Sequence, residues 1–370
     1  MKIITIFSFS LIFIPSLLFV FSTKESTQIK PVYPDSQWQK LHPKNAGMSQ
    51  DMLYNFSDAV GGRGCVIRYG YIIHEWGDQS RRADVASAVK PIYSHFLFKA
   101  LEDNMIESLD EPVAKYESQL KDINRDLNYK DTKITWRHLA NQTSCYGVNE
   151  NPGTAFDYND WQMALFCDLL FLKVYKTSWD KVDSDVLHPK LTDLIQCQDN
   201  PSLIAFGSYD RAGRLAISVR DFARIGLLYL RKGNWKGTQI ISEEHAKMAI
   251  SEPVANLVPR TSGVEAEMIG GQRSIGSRQI PDNQGDHFGS YSWLWWINGL
   301  DSNKKRMWHD APADTFGAFG HGGIRGMFVI PSLDIVVSYN EAENLEGWLN
   351  GNESPLNNAM RMLANSVIDK

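Results

Sequence analysis

The chain is poor in cysteine, has no basic stripe and contains no internal repeat or low-complexity tract. Its four cysteines, Cys65, Cys145, Cys167 and Cys197, fit no zinc-binding spacing. In an oxidising compartment four cysteines allow three pairings, but a chain this large does not need staples. Free thiols and bridges therefore both stay open. The nine histidines are scattered without ligand spacing, so no metal and no organic cofactor is implied. The formal charge is -5 with no clustered lysine and arginine, which argues against nucleic acid as a partner.

What is present is a sizeable core. With 370 residues, 43% of them hydrophobic, the chain suffices for one large domain or two smaller ones. A charged fraction of 22% and a mean hydropathy of -0.31 are ordinary for a soluble globular protein.

The N-terminus departs from that average. "IITIFSFSLIFIPSLLFVFS", Ile3 to Ser22, carries no charge and follows Met1-Lys2. A basic start, an apolar run and small residues at its end describe a secretory signal over 1–22, cleaved after Ser22. About 20 apolar residues also suit an uncleaved membrane anchor. Pro15, Ser8, Ser10 and Ser16 favour cleavage, and no cysteine near the boundary points to lipid attachment. Both versions place the folded part outside the cytoplasm, periplasmic or extracellular. The membrane is then a partner only through residues 3–22, if they are retained. Residues 23–45, polar and containing Pro31, Pro34 and Pro43, read as a linker, and 46–370 as one domain.

Strand signals lie at both ends of that domain. "GCVIRYGYIIHEWGD", Gly64 to Asp78, reads as a hairpin around Tyr69-Gly70. "YSWLWWING", "FGAFGHGG" and "RGMFVIPSLDIVVSYN" read as strands, the last a hairpin turning at Pro331-Ser332. Between them, about 109–230 is mostly helical in pattern, with loops at 149–153 and 199–213. "VRDFARIGLLYLRKG" is a strong helix ending at Gly233, and the tail from Pro355 closes as a helix. The fold class is α+β, one antiparallel sheet built from both chain ends with a helical region inserted.

Within this frame, Ser87-Ala88-Val89-Lys90 opens the apolar run "VASAVKPIYSHFLFKALEDN". Serine-x-x-lysine is a weak motif, and three further copies occur: Ser118–Lys121, Ser178–Lys181 and Ser302–Lys305. Those three lie in charged or polar surroundings. Ser87 alone stands where a loop gives way to an apolar helix. Residues three apart on a helix share a face, so Lys90 can reach the Ser87 oxygen. The helix start adds unpaired N–H groups and a positive dipole end. A serine at its free pKa needs such a base, and a lysine base must be neutral. Lys90 is therefore expected buried, with its pKa lowered. The competing reading makes Ser87 a plain helix cap and Lys90 a solvated lysine.

Two other segments bear on that choice. In "NPGTAFDYNDWQMALF", Tyr158, Asn159 and Asp160 stand close to a helix start after the Pro152-Gly153 turn. In "GAFGHGGIRGMFVI", His321 is flanked by glycines, which let a ligand approach the backbone closely.

With these three segments in order, the chain resembles the serine β-lactamase and penicillin-binding-protein superfamily over about 45–345. The nearer likeness is to class C β-lactamases, D-alanyl-D-alanine carboxypeptidases and related esterases. The S-x-x-K, Y-x-N and K-T-G or H-x-G elements of that superfamily read here as Ser87–Lys90, Tyr158–Asp160 and His321–Gly323. The resemblance implies a β-lactamase/transpeptidase-like fold with the site between sheet and helical region. It implies an acyl-enzyme on Ser87, with Lys90 and Tyr158 sharing proton transfers. Asp160, His321, Gly322 and Gly323 would contact substrate, and the backbone N–H groups of Ser87 and Ile324 would form the oxyanion hole. The substrate would be a small molecule or a peptide-like ester or amide. Two departures stand out. Asp160 replaces an asparagine that often touches a substrate amide. His321 replaces the lysine of class C β-lactamases, which favours a peptidase- or esterase-like member. A binding or scaffolding protein that keeps the fold without catalysis is the alternative. "WLWWING" and the loop from Pro259 to Gly289 are candidate pocket walls.

Overall fold

The computed structural model describes Met1 and residues 29–208, 211–347 and 354–368. The expected signal or anchor over 3–22 lies outside the described residues. The chain divides into two units, 1–30 and 31–370, and the second holds the elements described below. Among the described residues, no helix is long and apolar enough to cross a membrane.

Part of the segment read as a linker is laid against the sheet. The Val32 N–H donates to Tyr69 O at 2.9 Å, Leu41 N–H to Ile72 O at 3.0 Å and Ile72 N–H to Gln39 O at 3.0 Å. Trp38 is buried there. Helix α1, Gln50–Val60, is capped by Ser49, whose hydroxyl accepts the Met52 N–H. Strands β1, Arg63–Arg68, and β2, Tyr71–Trp76, form the expected hairpin. Its turn residues Tyr69 and Gly70 both have positive φ, the twist that tight hairpins require.

The short strand β3, Ala83–Asp84, leads into a 3-10 turn, Ala86–Val89, and then α2, Lys90–Glu102. The inserted region holds α3, Trp136–Ala140, and α4, Asp160–Cys167, and continues through wider helical turns at Asp168–Val174 and Asp183–Thr192. Sequence pattern predicted a loop over 199–213, and here the structure differs. β4, Ser202–Ser208, and β5, Arg211–Ile217, pair antiparallel, and β5 also pairs with β3. Burial of Leu203, Leu215 and Ile217 and pairing with a distant strand outweigh the loop signals Asp199-Asn200-Pro201 and Gly213. Helix α5, Val219–Leu230, follows as expected, then β6, Asn234–Trp235, β7, Thr238–Gln239, and α6, Glu243–Ser251.

The chain's second half completes the main sheet with β8, Tyr291–Ser292, β9, Trp295–Ile297, β10, Phe316–Gly320, β11, Arg325–Ile330, and β12, Ile335–Asn340. The order is β2-β1-β12-β11-β10-β9-β8, antiparallel throughout. Both chain ends therefore meet at β1 and β12, as the sequence pattern requires. Helix α7, Pro355–Asn365, packs with α1.

Alternation along β1 shows how the sheet is covered. The Cys65 thiol reaches Val219 O at the start of α5, and Gly226 of α5 sits against Val336. The neighbouring position Gly64 faces Trp76, whose ring meets Phe56 of α1 edge-on. α5 and α1 thus cover opposite faces, which explains why every residue of β1 and β12 is buried. All four cysteines are free thiols, so the core is held without bridges.

Candidate active site

The expected nucleophile sits on the 3-10 turn that precedes α2. Its predecessor Ala86 has φ of 50°, a conformation unfavourable for a residue with a Cβ. The Asp84 carboxylate holds it there by accepting the Ala86 N–H at 2.7 Å. A 3-10 turn aligns residues i and i+3 more closely than an α-helix does. Lys90 accordingly lies over Ser87, with its Nζ 2.9 Å from Ser87 Oγ. The reading of Ser87 as a helix cap does not fit, because Ser87 lies inside the turn and the cap positions of the turn and of α2 are held by Val85 and Val89.

Lys90 is 1% exposed, as expected for a working lysine. Its charge state is not as expected. Burial pushes the ammonium down, but the Tyr158 oxygen and the Asp160 carboxylate outweigh burial and hold Lys90 above the usual lysine range. The Asp160 Oδ1 lies 3.6 Å from Nζ, and the Tyr158 ring centroid is 4.5 Å away. The expectation of a lowered lysine pKa is corrected. The Tyr158 oxygen first, and then the acidic residue that stands in the asparagine position, hold this lysine up against burial.

Tyr158 and Asp160 are delivered by the start of α4. Asn159, rather than Asp160, caps that helix, accepting the Gln162 N–H at 2.7 Å. Asp160 is left to face Lys90. The Tyr158 ring is stacked on Trp296 at 6.0 Å and meets Tyr291 edge-on at 5.8 Å, which fixes its plane. Behind it, Asp157 is fully buried, and among the described residues its Oδ1 has no hydrogen-bond partner. Burial pushes the Asp157 carboxyl up to about 7.

A loop from 259 to 289 closes the front. Ser277 N–H donates to Asp160 Oδ2 at 2.8 Å, and Asp160 N–H to Asp282 Oδ2 at 2.8 Å. Gln284 N–H donates to Tyr158 O at 3.0 Å. A Cβ on Gly276 would come within 2.4 Å of Asp160 Oδ2, so this approach needs glycine. The opposite wall is the end of β10. There a Cβ on Gly320 would strike Val85 O at 2.3 Å and lie 2.9 Å from Ser87 N, so the strand abuts the nucleophile's turn.

His321 does not lie on the strand itself. It begins the turn after β10, with φ of 52°, exposed at the cavity rim. Ser87, Lys90, Tyr158, Asp160, His321 and Gly322 line one cavity of about 410 Å³. Gly323 and Ile324 are buried beside it rather than lining it, and Ile324 N–H donates to His321 O at 3.4 Å. Both candidate walls also reach the cavity, through Trp296 and through Ile275, Gly276, Gln284 and Gly285. Sequence reasoning missed Arg214, which lines it from β5. It directly follows the segment read as a loop over 199–213, and nothing in the text around it signals a site. Asp84 was missed for the same reason, since its role depends on the strained turn it supports.

No family model matches the chain, and no curated protein does. Solved structures do. A candidate 6-aminohexanoate-dimer hydrolase from Bacillus anthracis superposes with a TM-score of 0.60 at 14% identity, covering 91% of this chain and 88% of that one. A β-lactamase from Mycobacterium bovis gives 0.55 at 18% identity, covering 85% and 99%. A β-lactamase/D-alanine carboxypeptidase from Pseudomonas syringae gives 0.52 at 11% identity, covering 86% and 98%. At such identities the likeness speaks for the fold. The chain has the β-lactamase/transpeptidase-like fold of these structures.

Proposed function

We propose that the protein is a serine hydrolase that cleaves an ester or amide through an acyl-enzyme on Ser87. The observation that carries this is the 2.9 Å contact between Lys90 Nζ and Ser87 Oγ inside a cavity shared with Tyr158. The hydrolases among the solved structures of the same fold support it.

A charged Lys90 supports Tyr158 rather than Lys90 as the base in this reading. An ammonium has no lone pair, so it cannot accept the seryl proton. It instead stabilises negative charge on Ser87 Oγ and on the Tyr158 oxygen. Taken as the phenolate beside this ammonium, Tyr158 accepts the seryl proton on its oxygen as Oγ attacks the carbonyl carbon, and gives that proton to the leaving group as the scissile bond breaks, which returns it to the phenolate. Water then attacks the acyl carbon, Tyr158 takes its proton, and Ser87 is restored by the same path in reverse. The developing oxyanion would meet the N–H of Ser87, and that of Ile324 only once Ile324, which does not line the cavity, releases His321 O. For Ile324 this exchanges a long bond to His321 O for a bond to substrate. One such donor is worth on the order of 10²–10³ in rate.

Turnover of a p-nitrophenyl ester tests the reading. We expect it to vanish in Ser87→Ala and to fall at least about a hundredfold in Tyr158→Phe, with folding intact in both. Turnover kept in Ser87→Ala would remove the proposal. We also read the chain as exported, on the charge-free stretch Ile3–Ser22. Recovery of the protein from cytoplasm with Met1 intact would refute export.

A further inference from the structure

The loop that closes the front of the cavity is not held evenly. Its first leg is stitched to the inserted region. Thr261 N–H donates to Phe156 O at 2.8 Å, Asn149 N–H to Val264 O at 2.9 Å and Ala266 N–H to Gly147 O at 3.0 Å. Asn124 and Glu267 share three more bonds, and Ile269 N–H donates to Tyr146 Oη at 3.0 Å. The last leg is fixed by Gln284 N–H on Tyr158 O and by His287 Nε2, 2.8 Å from Val258 O.

The stretch between the legs, 270–281, reads "GGQRSIGSRQIP", and none of its residues is buried. A segment without buried side chains is held by its hydrogen bonds and opens at low cost. Its bonds converge on the start of α4. Ser277 N–H donates to Asp160 Oδ2 at 2.8 Å and Ile275 N–H to Asp160 O at 3.3 Å. Asp160 N–H donates to Asp282 Oδ2 at 2.8 Å, just past the stretch. Trp161 Nε1 donates to Gln279 O at 2.9 Å, and the Tyr146 hydroxyl to Gln272. Gly276 is pressed against the Asp160 carboxylate. At the near end the packing is the reverse. A Cβ on Gly270 or Gly271 would meet nothing within 4 Å, and Gly271 has φ of 76°. Two glycines in open space make a hinge.

The other carboxylate oxygen of Asp160 lies 3.6 Å from Lys90 Nζ. One acid thus touches both the amine beside the nucleophile and the segment that walls the cavity through Ile275 and Gly276. Every polar atom of Asp160 already has a partner within the protein, which suits a fastener better than a substrate contact.

We propose that residues 270–281 are a strap that hinges at Gly270–Gly271 and closes over a molecule bound at Ser87, and that Asp160 is the positioning residue that latches it. The proposal rests on the serine hydrolase reading. Closure brings the front wall onto the bound group and keeps Asp160 against Lys90 during turnover.

Amide hydrogen exchange, followed by peptide mass spectrometry on the full chain, tests it before and after a fluorophosphonate probe is attached to Ser87. In wild type the adduct should slow exchange over 270–281 by at least about tenfold and leave 259–269 unchanged. Gly276→Ala, whose new methyl displaces the strap from Asp160, should abolish that response. Trp161→Phe, which removes the bond to Gln279 and leaves Asp160 in place, should weaken it. A merely structural contact would not respond to occupancy. Exchange over 270–281 unmoved by the adduct, or slowed equally in Gly276→Ala, overturns the strap and leaves the hydrolase reading standing. If Ser87 takes no label, that reading falls and the free protein decides the latch. Exchange at least about tenfold faster over 270–281 in Gly276→Ala, with 259–269 unchanged, supports it. No difference, or equal loosening of both segments, overturns it.

Discussion

Two stretches of this molecule share a motif and a local shape but not a fate. Ser87–Lys90 and Ser118–Lys121 both have serine and lysine three apart, and both involve a 3-10 turn. Lys121 is exposed, whereas Lys90 is 1% exposed and touches Ser87, Tyr158 and Asp160. Local geometry therefore does not make the site. The site comes from α4 and β10, which bring a phenol, a carboxylate and a strand end to one turn and leave the other in water.

The largest expected effect sharpens that contrast. Lys90→Ala should lower p-nitrophenyl ester turnover by at least about a hundredfold. Lys121→Ala should leave turnover and stability within about 0.5 kcal/mol of wild type, as solvated positions do. Comparable losses in both variants would erase the distinction.

A smaller effect concerns why Lys90 is charged. Asp160→Asn removes one of the two groups that, with Tyr158 the larger, offset burial, so the lysine should lose its proton at lower pH. The alkaline limb of the kcat/KM profile should then move to lower pH, with the fold retained. An alkaline limb unmoved in the variant would show that another group sets it.

The smallest effect compares a buried charge with partners to one without. Asp157 has its carboxyl pushed up to about 7 by burial, with Asn159 as its hydrogen-bonding neighbour and Arg260 acting on it only through charge. Its folded pKa exceeds the unfolded one, so the native state holds the proton more tightly. That contribution is complete below about pH 4 and is lost as pH rises to about 7. Asp157→Asn keeps an acceptor for Asn159 and carries no charge. Its Tm should exceed that of wild type by more at pH 8 than at pH 5. A gap that stays constant across that range would place the titration elsewhere.

Much of the frame was legible in the sequence. Tyr69-Gly70 and Pro331-Ser332 announce turns by local chemistry, and α5 announces itself by its apolar stripe. The meeting of Ser87, Lys90, Tyr158, Asp160 and His321 was legible as three weak motifs in order. What escaped depends on contacts between distant segments. β4 and β5 lie in a segment marked by the loop signals Asp199-Asn200-Pro201 and Gly213, and they are ordered by pairing with each other and, for β5, with the distant β3. Residues 31–45 look like a linker because their partner, β2, is not adjacent in the chain. The charge of Lys90 was misjudged because burial was weighed without Asp160, seventy residues on in the sequence.

The most direct measurement locates the adduct of a fluorophosphonate probe by peptide mass spectrometry and times its formation. The mechanism requires the label on Ser87, formed at least about a hundredfold more slowly in Lys90→Ala and at the wild-type rate in Lys121→Ala. Label on Ser118, or a Ser87 label formed as fast without Lys90, would contradict the assignment of this lysine and this cavity to the chemistry.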